Sequence, residues 1–182
     1  MLLLRFKLRK LFIVLLGSLL AGCHDAPPAS PMCRVLPDLL EPNSGPARCL
    51  IKVDQRLIAI GDPQLEQLYL PGGNNQGRET AQCAAHRHTW QQTGFNVAVG
   101  RSLGVNDDGE QVFECLLNDY LGEEFHQLPV PEWAKPEIDS MLLTDPFELQ
   151  PHQWHNPDRL VQVRTWFNQA RARLPNQHQN SR

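Results

Sequence analysis

The chain has 182 residues, of which 41% are hydrophobic and 20% are charged, so it can form one ordinary globular core, and a second domain only if both are small. The 20 Asp and Glu residues outnumber the 17 Lys and Arg residues, and the formal net charge of −3 argues against binding to a nucleic-acid polymer, which requires a basic face. A single short apolar run near the N-terminus excludes a polytopic membrane protein.

The first 22 residues have the composition of an export signal. Basic residues at positions 5, 7, 9 and 10 precede an apolar run over 11–20, and Leu20-Ala21-Gly22-Cys23 follows. This order is typical of a secretory signal peptide, with an uncleaved anchor and a chance cysteine as the alternative. Leu-Ala-Gly-Cys resembles the lipobox of bacterial lipoproteins, which implies removal of residues 1–22, acylation of Cys23 and a periplasm-facing anchor in the lipid bilayer of the cell envelope. His24 after the cysteine favours the outer membrane.

Residues 23–33 are predicted to form a tether, because proline and small residues over 26–31 keep a chain extended. The folded domain is expected over 34–174, followed by a polar tail over 175–182. Four further cysteines form an even set in an oxidising compartment, which predicts at least one disulfide. Of the three possible pairings we favour Cys83 with Cys115 and Cys33 with Cys49, because Cys83 lies on a predicted helix and Cys115 on a strand that this helix could cover. The other pairings stay open.

Periodicity and turn residues predict the elements of the domain. Alternation over 47–60 predicts a strand pair, and 67–70 forms a short strand that ends at Pro71-Gly72-Gly73. Residues 79–93 include good helix formers and no proline, and Gly94 is a suitable residue to end this helix. Further strands are predicted over 95–103, 111–117 and 138–143, and a second helix over 159–174. Strands mixed with two helices, one of them between strands, predict an α/β sandwich.

One segment carries a recognisable spacing. Gly73, Glu79, Arg87, Gly94 and Phe95 stand in the register G-x5-E-x7-R-E-U-x-E-E-x-G-U, where U is a bulky aliphatic residue. With 70–72 before it and a strand after it, the segment resembles the Nudix box, and the resemblance extends over about 47–170. It implies a Nudix-like α/β/α sandwich with a mixed β-sheet. It also implies hydrolysis of a diphosphate linked to another group, with Mg²⁺ or Mn²⁺ as cofactor.

The same segment departs from the family pattern at the residues that should hold metal. Positions 88, 91 and 92 share one helix face, because they are related by three and four residues. The family carries carboxylates there, whereas this chain has His88, Gln91 and Gln92. A glutamine keeps the size and a carbonyl oxygen but has no charge. The resemblance therefore implies a weakened Mg²⁺ or Mn²⁺ site, or no metal site.

Candidate functional residues follow from the resemblance and from residue chemistry. Glu79 and Arg87 remain in the box, and Glu137 stands where many family members place a further carboxylate, so these three are the catalytic candidates, and Glu79 and Glu137 the metal ligands. Trp133 and Trp154 lie in predicted loops and could stack on a ligand, whereas the tryptophans in the two predicted helices, Trp90 and Trp166, are expected in the core. The ligand-binding candidates are Gly72, Gly73, Gln91, Gln92, Trp133 and Trp154. His86 and His88 are interpreted as polar helix residues that point to different faces.

Two functions remain open at this point. The first is a membrane-anchored envelope hydrolase of a nucleoside-diphosphate-linked or other diphosphate compound, with a weakened metal site. The second is a non-catalytic protein of the same fold that binds a diphosphate ligand or an envelope protein.

Overall fold

The computed structural model describes residues 28–64, 67–118, 121 and 125–172. The predicted signal peptide, the lipidation site Cys23, the first residues of the tether and the polar tail lie outside these described residues. Within them, no helix has both the length and the apolar composition needed to cross a bilayer.

The described chain forms a mixed sheet of eight strands in three layers with two helices, as the sequence predicts. The strand path is β5-β6-β1-β2-β8-β7, with β3 beside β2 and β4 beside β1; β1 and β6 are parallel and the other neighbours antiparallel. The bounds are β1 Ala47–Val53, β2 Arg56–Gly61, β3 Leu68–Tyr69, β4 Gly72–Gly73, α1 Ala81–Thr93, β5 Ala98–Val105, β6 Gln111–Leu116, β7 Gln127–Leu128, β8 Ser140–Thr144 and α2 Leu160–Gln169.

Each face of the sheet is covered by one helix, because the central strand β1 has apolar side chains on both faces. Cys49 and Ile51 belong to the core under α1, which also contains Ala81 and Ala85 of that helix. Leu50 points the other way, into the core that α2 covers with four buried side chains: Leu160, Val163, Trp166 and Phe167.

The predicted helix limits are close to those observed. Thr80 caps α1, since its Oγ1 accepts a hydrogen bond from the backbone N–H of Cys83 at 3.3 Å, so the helix begins at Ala81. Gly94 ends α1 in the left-handed conformation with a φ of 74°, as predicted, and its N–H donates to the carbonyl of Trp90 at 2.8 Å. The second helix is shorter than predicted, because Ala170 is extended.

The structure contains two disulfides, but the favoured pairing is wrong. Cys33 is bonded to Cys83, with a Cα–Cα distance of 5.3 Å, and Cys49 to Cys115, with a Cα–Cα distance of 5.4 Å. Cys49 and Cys115 lie on the neighbouring parallel strands β1 and β6, and their side chains point into the same core. Cys83 is bonded instead to Cys33 of the N-terminal arm, residues 28–35. This arm passes α1 before Val35 pairs with β5.

Candidate functional site

Two glycines allow β4 to lie between β1 and α1. Gly72 has a φ of 155°, and a Cβ on it would collide with the carbonyl oxygen of Ala47 and lie 2.6 Å from the Cα of Arg48. A Cβ on Gly73 would lie 2.6 Å from Cε1 of His88. A side chain on Gly72 would therefore push β4 away from β1, and one on Gly73 would displace the ring of His88, so glycine permits the close approach at both positions.

Glu79 and Arg87 form an ion pair at one end of the predicted helix face. Arg87 Nε donates to Oε1 of Glu79 at 2.9 Å, and Arg87 Nη2 donates to Oε2 at 2.8 Å. The backbone N–H of Gln76 donates to the same Oε2 at 3.0 Å. Burial disfavours the charged carboxylate, but the hydrogen bonds from Arg87 and Gln76 outweigh it and hold the pKa of Glu79 below its ordinary value. Glu79 is thus ionised, and its charge is compensated by the protein itself.

The amide of Gln92 is paired with the backbone of one residue. Its Oε1 accepts a hydrogen bond from the N–H of Gly72 at 2.8 Å, and its Nε2 donates to the carbonyl of Gly72 at 3.1 Å. A glutamate at this position could accept the first bond but could not donate the second. Gln91 is also engaged, because its Oε1 accepts from Arg87 Nη1 at 3.2 Å.

The two histidines of α1 have different partners and do not converge on one point. His88 Nε2 bonds to the carbonyl of Asn74 at 2.9 Å, and because a carbonyl only accepts, this nitrogen is the donor. His86 is 1% exposed, and its Nε2 lies 3.0 Å from Oδ1 of Asn96. Burial is the main cause that lowers the pKa of both histidines, so each favours the neutral form.

A cavity of about 190 Å³ adjoins this face of α1 and brings together four of the residues predicted from the sequence. Gln91, Gln92, Trp133 and Glu137 line it with two apolar neighbours, Ala134 and Ile138. The indole Nε1 of Trp133 donates to the backbone carbonyl of Gln91 at 3.0 Å, which connects the loop before β8 to the helix. We call this space the box cavity.

The residues of this region do not fit a divalent cation. Mg²⁺ takes oxygen ligands, and carboxylates supply the charge that compensates it. Glu79 is paired with Arg87 and is not among the residues that line the box cavity, whereas Glu137 is exposed there. Across the described residues, no group of three or more His, Cys, Asp and Glu side chains could hold a metal ion.

The structure places Trp154 far from Trp133 in the fold. Trp154 is 4% exposed and belongs to the core under α2, as does Trp166. Trp90 was expected in the core, but it belongs to neither core cluster and instead packs against Trp133, with the ring centroids 6.1 Å apart. The helix spacing did not reveal this, because α1 has a weak division into polar and apolar faces.

A second cavity, of about 80 Å³, lies on the α2 side, and sequence reasoning missed it. Its walls include Arg48 and Glu110, joined by two hydrogen bonds of 2.6 and 2.8 Å, and the buried ring of Trp154. Arg159 also lines it, and Nε of Arg159 is a buried donor without a hydrogen-bond partner in the described protein. No local signal predicts this set, since its members come from distant parts of the sequence.

Comparison of sequences finds no match, whereas comparison of structures finds proteins of similar fold. No protein-family model and no curated protein matches the chain. Its structure is similar to that of an ADP-ribose pyrophosphatase from Streptococcus suis, with 15% identity, coverage of 68% of this chain and 89% of that chain, and a TM-score of 0.53. A UDP-X diphosphatase is similar with 17% identity, coverage of 74% of this chain and 67% of that chain, and a TM-score of 0.53.

A third structure of this kind is a Nudix hydrolase from Nitrosomonas europaea, with 15% identity, coverage of 74% of this chain and 94% of that chain, and a TM-score of 0.52. These likenesses establish a Nudix-like fold for the chain.

Proposed function

We propose that this chain is a lipid-anchored envelope protein of Nudix-like fold that binds a ligand at the box cavity without efficient hydrolysis of a diphosphate. The observation that carries the proposal is the double hydrogen bond between Gln92 and the backbone of Gly72. It uses an amide where the catalytic family uses a carboxylate, and it joins α1 to β4. The surviving carboxylate of Glu79 is likewise compensated by Arg87.

The chemistry of the box cavity favours the uncharged part of a ligand. Two amide side chains, one indole and one carboxylate line it, and none of the lining residues is cationic. A bare diphosphate would meet no positive charge there and would be repelled by Glu137. The group joined to a diphosphate, such as a sugar or a base, could instead use the indole of Trp133 for contact and the amides for hydrogen bonds.

A weakened pyrophosphohydrolase is the second candidate. The fold neighbours favour it, since they include proteins described as an ADP-ribose pyrophosphatase and a UDP-X diphosphatase. Glu79, Arg87 and Glu137 would then be the remaining catalytic residues, with Mg²⁺ or Mn²⁺ weakly bound. The absence of carboxylates at 88, 91 and 92 argues against efficient turnover.

One panel of ligands distinguishes the two candidates. The full chain, purified in detergent, is mixed with nucleotide sugars, dinucleotides and a lipid diphosphate, each with Mg²⁺, with Mn²⁺ and with a chelator. Binding without turnover should raise the melting temperature, because a ligand at 100 times its Kd stabilises the folded state by about 2.7 kcal/mol. Rapid metal-dependent turnover that is lost in Glu79→Gln would overturn the proposal in favour of the hydrolase.

The envelope location has its own test. Leu20-Ala21-Gly22-Cys23 supports lipidation of Cys23, and the two disulfides agree with an oxidising compartment. Cys23→Ser should release the protein from membranes or block its processing. Unchanged membrane association and unchanged mass in this variant would contradict the anchor.

A further inference from the structure

The N-terminal arm runs along the outside of α1 and is fastened to it. The carbonyl of Pro28 accepts a hydrogen bond from Nε1 of Trp90 at 3.4 Å, and Cys33 is bonded to Cys83. Because Cys83 and Trp90 are seven positions apart in the sequence, the arm follows about 10 Å of the helix in the opposite direction. Beyond it, Val35 forms a parallel bridge with Val99 at the start of β5.

This attachment limits how far the domain can lie from a lipid anchor. Cys23 precedes Pro28 by five residues, which span at most about 18 Å when fully extended. The disulfide at Cys33 sets an outer limit, because even without the Pro28 contact the ten residues from Cys23 to Cys33 span at most about 36 Å. If Cys23 is acylated, as the proposed function holds, the contact between Pro28 and Trp90 keeps that end of α1 within about 18 Å of the anchor.

The surface at this end of α1 has the composition of a membrane-interface surface. Trp90 and Trp133 are half-buried and contact each other in a tilted arrangement; Trp133 packs against the core under α1, whereas Trp90 lies outside it. Pro131 lies 3.3 Å from the position of a Cβ on Gly94, so it closes the end of the helix. Met32 is 88% exposed, but it adjoins Cys33 and therefore lies beside Cys83, toward the other end of α1. Tryptophan is enriched at the level of lipid headgroups, and because both indole N–H groups here are bonded to backbone carbonyls, these rings would contribute their apolar surface.

The charges agree with contact through this surface rather than through the rest of the body. Removal of residues 1–22 takes four positive charges from the net charge of −3 and leaves −7, so the mature protein is repelled by an anionic leaflet. The charged pair beside Trp133, Glu132 with Lys135, is neutral overall, with 2.5 Å between Oε1 and Nζ. Among the residues that line the box cavity, Glu137 alone is charged, so the aromatic surface beside it offers little repulsion.

We propose that the surface formed by Pro28, Trp90 and Trp133 lies on the bilayer to which Cys23 is anchored. Trp133 belongs both to this surface and to the box cavity, so the cavity lies beside the membrane. Its ligand is then a molecule held in the bilayer, whose headgroup reaches Gln91 and Gln92, rather than a nucleotide free in solution. This inference rests on the lipid anchor of the proposed function.

The four tryptophans of the chain provide the experiment, because two lie on the proposed surface and two lie in the core under α2. The full lipidated chain is reconstituted in phosphatidylcholine vesicles with and without bromine on the acyl chains, and quenching of tryptophan fluorescence is measured. The variant Trp154→Phe/Trp166→Phe retains the surface pair, and Trp90→Phe/Trp133→Phe retains the core pair. We expect quenching to be about threefold stronger or more in the first variant, because interface tryptophans lie near the acyl chains.

Each result has a defined meaning. Equal quenching in the two variants, with the protein recovered in the vesicles, would overturn membrane docking and leave the anchor intact. Recovery of the protein outside the vesicles would overturn the anchor and the docking together. If the core variant does not fold, the wild type compared with Trp90→Phe/Trp133→Phe gives the same contrast. Protection of Trp90 from a soluble quencher in detergent, at protein concentrations where the chain is dimeric, would assign the surface to a second copy instead.

Discussion

The elements on the two faces of the sheet are held in place by different kinds of interaction. On the α1 side, Cys33–Cys83 joins the arm to the helix and Cys49–Cys115 joins β1 to β6 beneath it. Among the described residues, the α2 side has no disulfide. It relies on apolar packing and on charged groups, above all the fully buried carboxylate of Glu114, which pairs with Arg171.

The two sides also differ in the partners of their polar side chains. On the α1 side, where a catalytic member of the family would expose carboxylates to metal, the polar side chains bond to the protein's own backbone. Gln92 bonds to Gly72, and His88 bonds to Asn74. Together these bonds form a junction between α1 and residues 72–74. On the α2 side, in contrast, the buried donor Arg159 Nε has no acceptor in the described protein.

The largest expected effect comes from removal of the Cys49–Cys115 disulfide on the α1 side. Cys49→Ala with Cys115→Ala opens a link between residues 66 apart, which should lower the free energy of unfolding by about 4 kcal/mol in the chain-entropy account. Denaturant unfolding under oxidising conditions measures it. Adding a reductant to this variant should lower the stability again through Cys33–Cys83. A denaturant midpoint equal to that of the wild type would show that the Cys49–Cys115 disulfide does not contribute to stability.

On the α2 side, the matching test is Glu114→Gln, which should lower the free energy of unfolding by about 2 kcal/mol. The cost of breaking this buried pair is reduced because Arg171 is partly exposed to solvent. Burial opposes ionisation of Glu114, but hydrogen bonds from Arg171 outweigh it, so its pKa lies below 4.5. The contribution is therefore present above pH 4.5 and is lost as the pH falls through the folded value. Glu132→Gln, at an exposed pair, is the control and should change stability by less than about 0.5 kcal/mol. Equal effects of the two variants would contradict the assigned role of Glu114.

Restoring charge to the α1 side tests whether the junction has replaced a metal site. His88→Glu, Gln91→Glu and Gln92→Glu together should raise the affinity for Mg²⁺ or Mn²⁺ by about tenfold or more, measured by calorimetry. Without metal, the variant should be less stable by about 1–2 kcal/mol, because a carboxylate at position 92 could no longer donate to the carbonyl of Gly72. Gln169→Glu on α2 controls for added charge. Unchanged metal affinity in the triple variant would mean that this face cannot form the site.

The smallest expected effect is a pH dependence from the α1 side. Burial lowers the pKa of His86 below its ordinary value of 6.5, so the folded state binds fewer protons than the unfolded state in this range. The contribution of His86 to stability is then complete above pH 6.5 and decreases as the pH falls toward the folded value. The melting temperature, measured between about pH 8 and pH 5, should change less steeply with pH in His86→Gln than in the wild type. An equal slope in the wild type and in His86→Gln would refute the assignment.

Local signals in the sequence predicted the elements well, because they depend on neighbouring residues. Gly94 ends α1 since it adopts a positive φ, and alternation in 47–60 marked two strands that do pair. Partners across the sheet were not predictable in this way. Cys115 pairs with Cys49 because β6 lies parallel to β1, and that neighbourhood results from the path of the whole chain. The residues next to Cys49 and Cys115 do not indicate that strands so far apart in the sequence will pair.

The sequence by itself determined that the helix face at 88, 91 and 92 has no carboxylate, since helical spacing alone places these positions together. Only the tertiary structure decided which groups satisfy that face: the backbone of Gly72 for Gln92, and Arg87 for Gln91. It also decided that Trp90, which belongs to neither core cluster, meets Trp133, which packs against the core under α1. The physical reason is that helix periodicity is set by local geometry, whereas these contacts depend on where β4 and the loop before β8 are carried by long-range strand pairing.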